Sequence, residues 1–173
     1  LDRVNEKELI TLTKNRSFEN ADRHGKYLIA EMDNSSVLIL HFGMTGRLEY
    51  LKNSDKLPSH SRVVFHFDNG YHLAYDCQRL LGRVYAGEDK DMYLEEKDLG
   101  IDAMSIRYEQ FHELVEGSRS SIKSLFMDQS KIAGMGNIYS DEVFFQARIH
   151  PKRPCKQLEE EEIRLLYEKM NEV

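Results

Sequence analysis

The chain has 173 residues, 40% hydrophobic and 31% charged, which is enough for one large or two small domains with hydrophobic cores. A mean hydropathy of −0.59 and the lack of any apolar run with a length of about 18 residues exclude a transmembrane helix. Three prolines and ten glycines exclude collagen-like and low-complexity classes. The net charge of −6 argues, as an average, against nucleic acid as a partner.

The first hundred residues are predicted to form short antiparallel strands. An Asp-Asn-Gly turn at 68–70, between apolar runs at 63–67 and 71–75, predicts a β-hairpin. Regularly spaced turns are typical of a sandwich or barrel. No firm prediction covers the residues before Lys26. The other predicted strands are 27–32, 37–42, 47–51 and 83–86.

After residue 101 the apolar period becomes helical, so we predict a domain boundary there, with domains at 1–101 and 102–173. Ser120 or Ser121 is available to cap one helix, and Asn137 is predicted to cap another. The predicted helices contain residues 108–115, 122–126 and 137–147, and a fourth begins near 159.

The two ends of the sequence look interrupted. The chain starts with Leu1 rather than methionine, and a helical apolar pattern still continues at Val173 without a stop signal. We therefore expect a fragment of a longer protein. Two cysteines, Cys77 and Cys155, are too few for a disulfide framework or a four-ligand zinc site, which favours a soluble protein of a reducing compartment.

Charge is distributed unevenly along the chain. Residues 86–116 contain ten acidic side chains against three basic ones, and the tail from Gln157 has six against two. Between them, residues 118–156 carry seven basic side chains against three acidic ones. This basic block indicates an anionic partner, whereas a set of solvated faces is the alternative reading.

The strongest candidate for a functional site is segment 128–139, with the sequence Asp-Gln-Ser-Lys-Ile-Ala-Gly-Met-Gly-Asn-Ile-Tyr. Its glycines allow a tight double turn between two helices, and the free N–H groups of the second helix favour an anion. With Lys123, Lys131 and the Asn137 amide nearby, a phosphodiester is the natural anion. An ordinary helix connection is the alternative.

Three loops of the strand-rich half could also contact a ligand. Met44 stands between two glycines at a strand end, where it could pack under a neighbouring loop or act as a wedge between bases. Basic residues at 23–27 could contact phosphate or simply be solvated. The loop 76–83 carries two arginines and two leucines, and the alternative there is a buried turn with one ion pair.

Six segments match, in order, the motifs of one known family. They are Arg-His-Gly-Lys-Tyr-Leu at 23–28, His-Phe-Gly-Met-Thr-Gly-Arg-Leu at 41–48, Asp-Cys-Gln-Arg-Leu-Leu-Gly-Arg at 76–83, Ile-Lys-Ser-Leu-Phe-Met-Asp-Gln at 122–129, Gly-Met-Gly-Asn-Ile-Tyr-Ser-Asp-Glu at 134–142 and Ile-His-Pro-Lys-Arg-Pro at 149–154. The sequence thus resembles the formamidopyrimidine-DNA glycosylase family over residues 20–155. Enzymes of this family excise oxidised purines, such as 8-oxoguanine and formamidopyrimidines, and cut the abasic site by β,δ-elimination.

The resemblance implies an α+β fold, in which an antiparallel β-sandwich (1–101) is followed by an all-helical helix–two-turn–helix domain (102–173). It implies double-stranded DNA with damaged or abasic sites as the partner, held in a cleft between the domains. A cytoplasmic monomer with no membrane contact is expected, associated with the nucleoid if the protein is bacterial or archaeal.

Seven positions take roles from the family. Lys26 resembles the lysine that contacts phosphate at the lesion and assists catalysis. Met44 resembles the side chain inserted into the gap left by the extruded base, Arg79 the arginine that faces the orphaned base, and Leu81 a second wedge, where the family usually has Phe. The remaining three, His41, Lys123 and Asn137, resemble phosphate contacts.

Departures from the family pattern are equally informative. The N-terminal Pro-Glu that supplies the family's amine nucleophile is missing, and its C-terminal zinc finger would lie beyond Val173. No metal-ligand spacing occurs among the histidines and cysteines, so we expect no cofactor in this chain. Cys77-Gln78 and Leu81 replace the usual residues of the loop that faces the partner base.

Two function hypotheses follow. Either the parent protein is a glycosylase and abasic-site lyase whose DNA-binding middle this chain carries, or the chain is a non-catalytic binder of damaged or bent DNA that has lost the nucleophile. A helix–two-turn–helix module used for RNA or ribosome binding would leave the motifs at 23–83 without an explanation.

Overall fold

The chain divides into two units, Leu1–Lys90 and Asp91–Val173, in a computed structural model that describes all residues from 1 to 173. This division lies earlier than the boundary predicted at residue 101, and the strand Ile101–Asp102 pairs with Ile132–Ala133 within the second unit. None of the helices has both the length and the apolar character needed to cross a membrane.

The first unit is formed by one helix and seven strands. The helix α1 covers Glu6–Thr13, where Asn5 and Glu8 form a reciprocal capping box at its start. Both α1 and the first strand escaped sequence prediction, since six of the seven residues of that strand are exposed and show no alternation. The strands are β1 (Phe18–His24), β2 (Tyr27–Met32), β3 (Val37–His41), β4 (Gly46–Lys52), β5 (Ser61–His66), β6 (Tyr71–Cys77) and β7 (Arg83–Gly87).

These strands form two antiparallel sheets, in the orders β1-β2-β3-β7 and β4-β6-β5. Leu38 and Leu40 of the first sheet pack with Tyr75 and Cys77 of the second in one buried cluster. The predicted antiparallel β-sandwich is therefore confirmed. Residues of β3 are buried on both faces, which explains why its sequence is an unbroken apolar run.

The predicted hairpin is the β5–β6 pair. His66 and His72 lie opposite each other in its register, and their rings are 5.7 Å apart. A ladder of this kind places the 67–70 turn at one end of the sheet and Cys77 at the other, beside the start of β4.

The second unit is mainly helical. A T-shaped contact between Phe111 and Phe126 and a tilted one between Phe126 and Phe144 tie three helices together in its core. Its elements are α2 (Lys90–Glu96), β8 (Ile101–Asp102), α3 (Tyr108–Gly117), α4 (Ile122–Met127), β9 (Ile132–Ala133), α5 (Asn137–Ala147), a 3₁₀ turn (Cys155–Gln157) and α6 (Glu160–Glu172).

One predicted helix cap is confirmed and one is wrong. Ser121 caps α4, and its side chain accepts a hydrogen bond from the N–H of Ser124. At α5 the N-cap is Gly136 in an extended conformation, so Asn137 is the first helical residue rather than the cap. The Asn137 side chain is consequently directed to another partner, Asp141.

Candidate nucleic-acid interface

One end of the first sheet brings together basic residues from the β1–β2 turn, from β3 and from β7. Lys26 lies in the two-residue turn that joins His24 of β1 to Tyr27 of β2. Tyr27 pairs with His41, whose ring lies 4.9 Å from its own, and His41 pairs in turn with Arg83. Partial burial lowers the pKa of the Lys26 ammonium, which makes it a better proton donor than an ordinary lysine.

The turn between β3 and β4 presents Met44 to solvent. Gly43 has a φ of 59°, and its N–H donates to Nδ1 of His41 at 3.1 Å. The N–H of Gly46 closes the turn by donating to the carbonyl of Phe42 at 2.7 Å. Met44 is 70% exposed, so it does not pack under a neighbouring loop.

The loop between β6 and β7 lies directly against the Met44 turn. Thr45 Oγ1 accepts a hydrogen bond from the N–H of Arg79 at 3.1 Å. A Cβ atom at Gly43 would lie 2.7 Å from the carbonyl carbon of Leu81, so the two backbones touch. Leu81 itself is 47% exposed. The three side chains predicted to contact the bases therefore come from two loops that are held as one surface.

Tyr75 supports this pair of loops from below. Its hydroxyl donates to the carbonyl of His41 at 2.8 Å, and a Cβ at Gly82 would lie only 1.7 Å from the Tyr75 oxygen. Burial raises the pKa of Tyr75 to about 12, so the hydroxyl keeps its proton and its donor role over the physiological pH range. Sequence reasoning missed Tyr75, because a tyrosine in an apolar strand carries no signal beyond core packing.

A buried carboxylate fastens a further loop at the same end of the second sheet. Asp76 accepts a hydrogen bond from the N–H of His60 at 2.9 Å and forms an ion pair with Arg47 at 3.3 Å. The carbonyl of His60 in turn accepts from the N–H of Cys77 at 3.0 Å. The predicted alternative for this loop, a buried turn with one ion pair, is half correct: Asp76 is buried and paired, while Leu81 is exposed.

The cysteines and histidines do not form a metal site. Cys77 and Cys155 are both buried and unbonded to each other, and no group of three or more His, Cys, Asp or Glu side chains could hold a metal ion.

In the second unit a single amide organises the double turn between α4 and α5. The Gln129 side chain donates to the carbonyls of Met135 at 2.8 Å and Met127 at 3.2 Å, and its oxygen accepts from the N–H of Gly134 at 3.2 Å. Gly134 has a φ of 104°, which favours glycine. The hydrogen bonds that hold the double turn therefore come from Gln129, a residue of the 128–139 motif that predicted the turn.

The two predicted phosphate contacts of this unit are brought together by a third residue. Lys123 Nζ lies 2.5 Å from one carboxylate oxygen of Asp141, and Asn137 Nδ2 lies 3.1 Å from the other. Asp141 was not among the predicted site residues. Its only sequence signal is its spacing of four residues from Asn137 on the same helix face.

Most of the basic block is available for an anionic partner. Lys123 and Arg153 are paired with Asp141 and Glu162, respectively. The other five basic side chains are exposed and form no ion pair, and they are Arg119, Lys131, Arg148, Lys152 and Lys156. The overall negative charge of the chain therefore coexists with a local excess of positive charge.

A β-sandwich with a projecting methionine turn, followed by a helix–two-turn–helix unit, is the architecture of a class of DNA glycosylases. Residues 1–84 match the family model for the formamidopyrimidine-DNA glycosylase N-terminal domain, and residues 99–173 match that for the formamidopyrimidine-DNA glycosylase H2TH domain. The chain belongs to the formamidopyrimidine-DNA glycosylase family.

Individual relatives agree with this assignment. The chain is 34% identical to formamidopyrimidine-DNA glycosylase of Protochlamydia amoebophila over 154 residues, which are 88% of this chain and 55% of that protein. It is 36% identical to that of Desulforamulus reducens over 155 residues, which are 87% and 56%. The chain thus spans less than two thirds of these relatives.

Solved structures show the same fold. A complex of Lactococcus lactis Fpg (MutM) with DNA containing N7-benzyl-Fapy-dG superposes with a TM-score of 0.88 at 29% identity, covering 96% of this chain and 63% of that one. A complex of the same enzyme with abasic-site DNA gives 0.88 at 28% identity, covering 96% and 62%. The roles predicted for the seven site residues stay predictions.

The backbone contact at Gly43 can be tested against a matched glycine. Gly43→Ala and Gly70→Ala both place a side chain at positive φ, which costs about 1–2 kcal/mol. Only Gly43 faces backbone atoms, whereas nothing lies within 4 Å of a Cβ at Gly70. We expect Gly43→Ala to lower the free energy of unfolding by about 1–3 kcal/mol more than Gly70→Ala in urea titrations. Equal losses would contradict the close approach of the two loops.

Proposed function

We propose that this chain is the DNA-binding part of a formamidopyrimidine-type DNA glycosylase and abasic-site lyase. The observation that carries the proposal is the joint surface of Met44, Arg79 and Leu81, which is fixed by the Thr45–Arg79 hydrogen bond and the backbone contact at Gly43. Exposed apolar side chains on a rigid double loop are suited to enter a base stack.

In the proposal, these three side chains offset the cost of extruding a base from the duplex. Removing a base from the duplex costs a few kcal/mol in lost stacking and pairing. In the proposal Met44 fills the vacated space, Leu81 wedges beside it, and the Arg79 guanidinium donates hydrogen bonds to the partner base. Because both loops are joined, insertion of one side chain positions the others.

Phosphate contacts would hold the strand at two places. In the first unit, Lys26 and His41 lie at the sheet end from which the Met44 turn projects. In the second unit, Lys123 of α4 and Asn137 of α5 lie on either side of the double turn, and five other basic side chains of residues 118–156 are exposed. These contacts carry no base information and serve to set the register of the protein on the duplex.

The chemistry proposed for the parent protein is excision of oxidised purines and β,δ-elimination at the abasic site, within base-excision repair. An amine nucleophile forms a covalent intermediate in such a reaction, and we assign that role to no residue of this chain. Lys26, with its lowered pKa, is suited to assist proton transfer near the sugar. Such a protein would act in the cytoplasm, on the nucleoid.

Borohydride trapping tests the enzymatic part of the proposal. The full gene product, incubated with an 8-oxoguanine duplex and borohydride, should give a covalent protein–DNA band that an undamaged duplex does not give. A shift of abasic duplex on a native gel without any trapped band would instead support a binder that has lost the chemistry.

Two substitutions test the phosphate contacts. Lys26→Ala should weaken duplex binding and flatten the slope of log affinity against log salt by about 0.9. Asn137→Ala should weaken binding about tenfold, as expected for one hydrogen bond to a charged group, and leave the slope unchanged. Lys52→Ala, an exposed lysine at the opposite end of β4, is the control and should bind like wild type. Unchanged affinity in both test variants would refute the placement of DNA.

The wedge role of Met44 can be separated from general affinity. Met44→Ala should weaken binding to an abasic duplex by about 1–2 kcal/mol, since it removes most of the apolar surface that the Met44 side chain would bury on insertion. Binding to undamaged duplex should stay the same. Met104→Ala, which removes another exposed methionine, should change neither. Equal losses of Met44→Ala on both duplexes would exclude the wedge role.

A further inference from the structure

An acidic side chain occupies the centre of the predicted phosphate site in the second unit. The Asp141 carboxylate bridges Lys123 Nζ, at 2.5 Å, and Asn137 Nδ2, at 3.1 Å, with one oxygen for each. Lys123 belongs to α4 and Asn137 to α5, so the carboxylate links the two helices across the double turn.

A backbone phosphate has the same requirements as this carboxylate. Both are anions that accept hydrogen bonds through oxygens from an ammonium and an amide donor. Lys123 and Asn137 can therefore satisfy Asp141 or a phosphate with the same atoms. The Asp141 side chain is 49% exposed, which leaves the carboxylate free to turn to water when its partners are withdrawn.

We propose that Asp141 is an internal competitor of DNA phosphate: it occupies the donors of Lys123 and Asn137 in the DNA-free chain and has to release them on binding. This inference rests on the proposed function, because it assigns the same two donors to a phosphate. The carboxylate keeps both donors oriented towards one point before DNA arrives. The same carboxylate lowers the affinity for DNA, since Lys123 is already neutralised and the negative charge of Asp141 stays near the phosphate.

Competition of this kind has a defined electrostatic signature. A lysine that exchanges one anion for another releases fewer counterions than a solvated lysine, so it contributes less than its full share to the salt dependence of binding. Removal of the Asp141 charge should restore the full contribution of Lys123 to the salt dependence of binding. The net effect on affinity should match the strength of one partly exposed ion pair.

Asp141→Asn tests the competition directly. We expect this variant to bind an abasic duplex about two- to fivefold more tightly than wild type at low salt. The slope of log affinity against log salt should become steeper by up to about 0.9. Both quantities come from fluorescence anisotropy titrations of the 173-residue chain at several salt concentrations, with circular dichroism as the check of folding.

Glu142→Gln is the matched control. It removes the same charge from the next position of α5, where the Glu142 carboxylate accepts only from Gln146 at 2.8 Å. Any general gain from lowering the negative charge near DNA appears in this variant as well. Asp141→Asn must exceed it, and an effect equal to or smaller than that of Glu142→Gln would overturn the proposal.

A double-mutant cycle assigns the effect to Lys123. In a Lys123→Ala background, Asp141→Asn should lose its advantage over Glu142→Gln, because no ammonium is left to release. An undiminished gain would show that Asp141 acts on DNA without Lys123 and would also overturn the proposal.

Failure of this inference can be distinguished from failure of the proposed function. Salt-dependent duplex binding that Asn137→Ala weakens, combined with no specific effect of Asp141→Asn, rejects only the competition. If the wild-type chain binds no duplex at any salt concentration, the proposed DNA-binding function and the competition are both wrong.

Discussion

The close approach of two loops at Gly43 is the constraint on which the first unit's proposed interface depends. A side-chain atom there would lie 2.7 Å from the Leu81 backbone, so the Met44 turn and the β6–β7 loop can meet only through glycine. The Thr45–Arg79 hydrogen bond and the Tyr75 hydroxyl then fix the relative position of the two loops. The exposed apolar side chains thus project from two loops whose backbones are fixed to each other.

The basic side chains of residues 118–156 differ in whether they are paired with an acidic residue. The protein is acidic overall, yet five basic side chains within residues 118–156 are exposed and have no acidic partner. The sixth and seventh, Lys123 and Arg153, are paired. An excess of basic side chains is thus combined with the Asp141 carboxylate, which contacts Lys123 and Asn137.

The residues at which this chain departs from the family pattern fit the packing of its own loops. Cys77 is fully buried in the sandwich core and its N–H pairs with His60, so it contributes packing and a backbone bond where the family usually has another residue. Leu81 is exposed, as a wedge requires, although it is smaller than the usual Phe. Membership of the formamidopyrimidine-DNA glycosylase family rests on the matches of both domains to the family models.

The sequence by itself determined six of the seven strands of the sandwich, the β5–β6 hairpin and the helices α3 to α6 of the second unit, because period and turn chemistry are local properties. It also singled out the motifs that became the proposed interface. Helices α1 and α2 and strand β1 were missed. An exposed edge strand such as β1 shows no alternation, and Asn137 was misjudged as the N-cap, a position that Gly136 holds. Only the tertiary structure decided that Arg79 binds Thr45, that Tyr75 supports His41 and that Asp141 joins Lys123 to Asn137. These partners are 34, 34 and 18 residues apart for Arg79–Thr45, Tyr75–His41 and Lys123–Asp141, and no local pattern encodes contacts that arise when separate strands and helices pack.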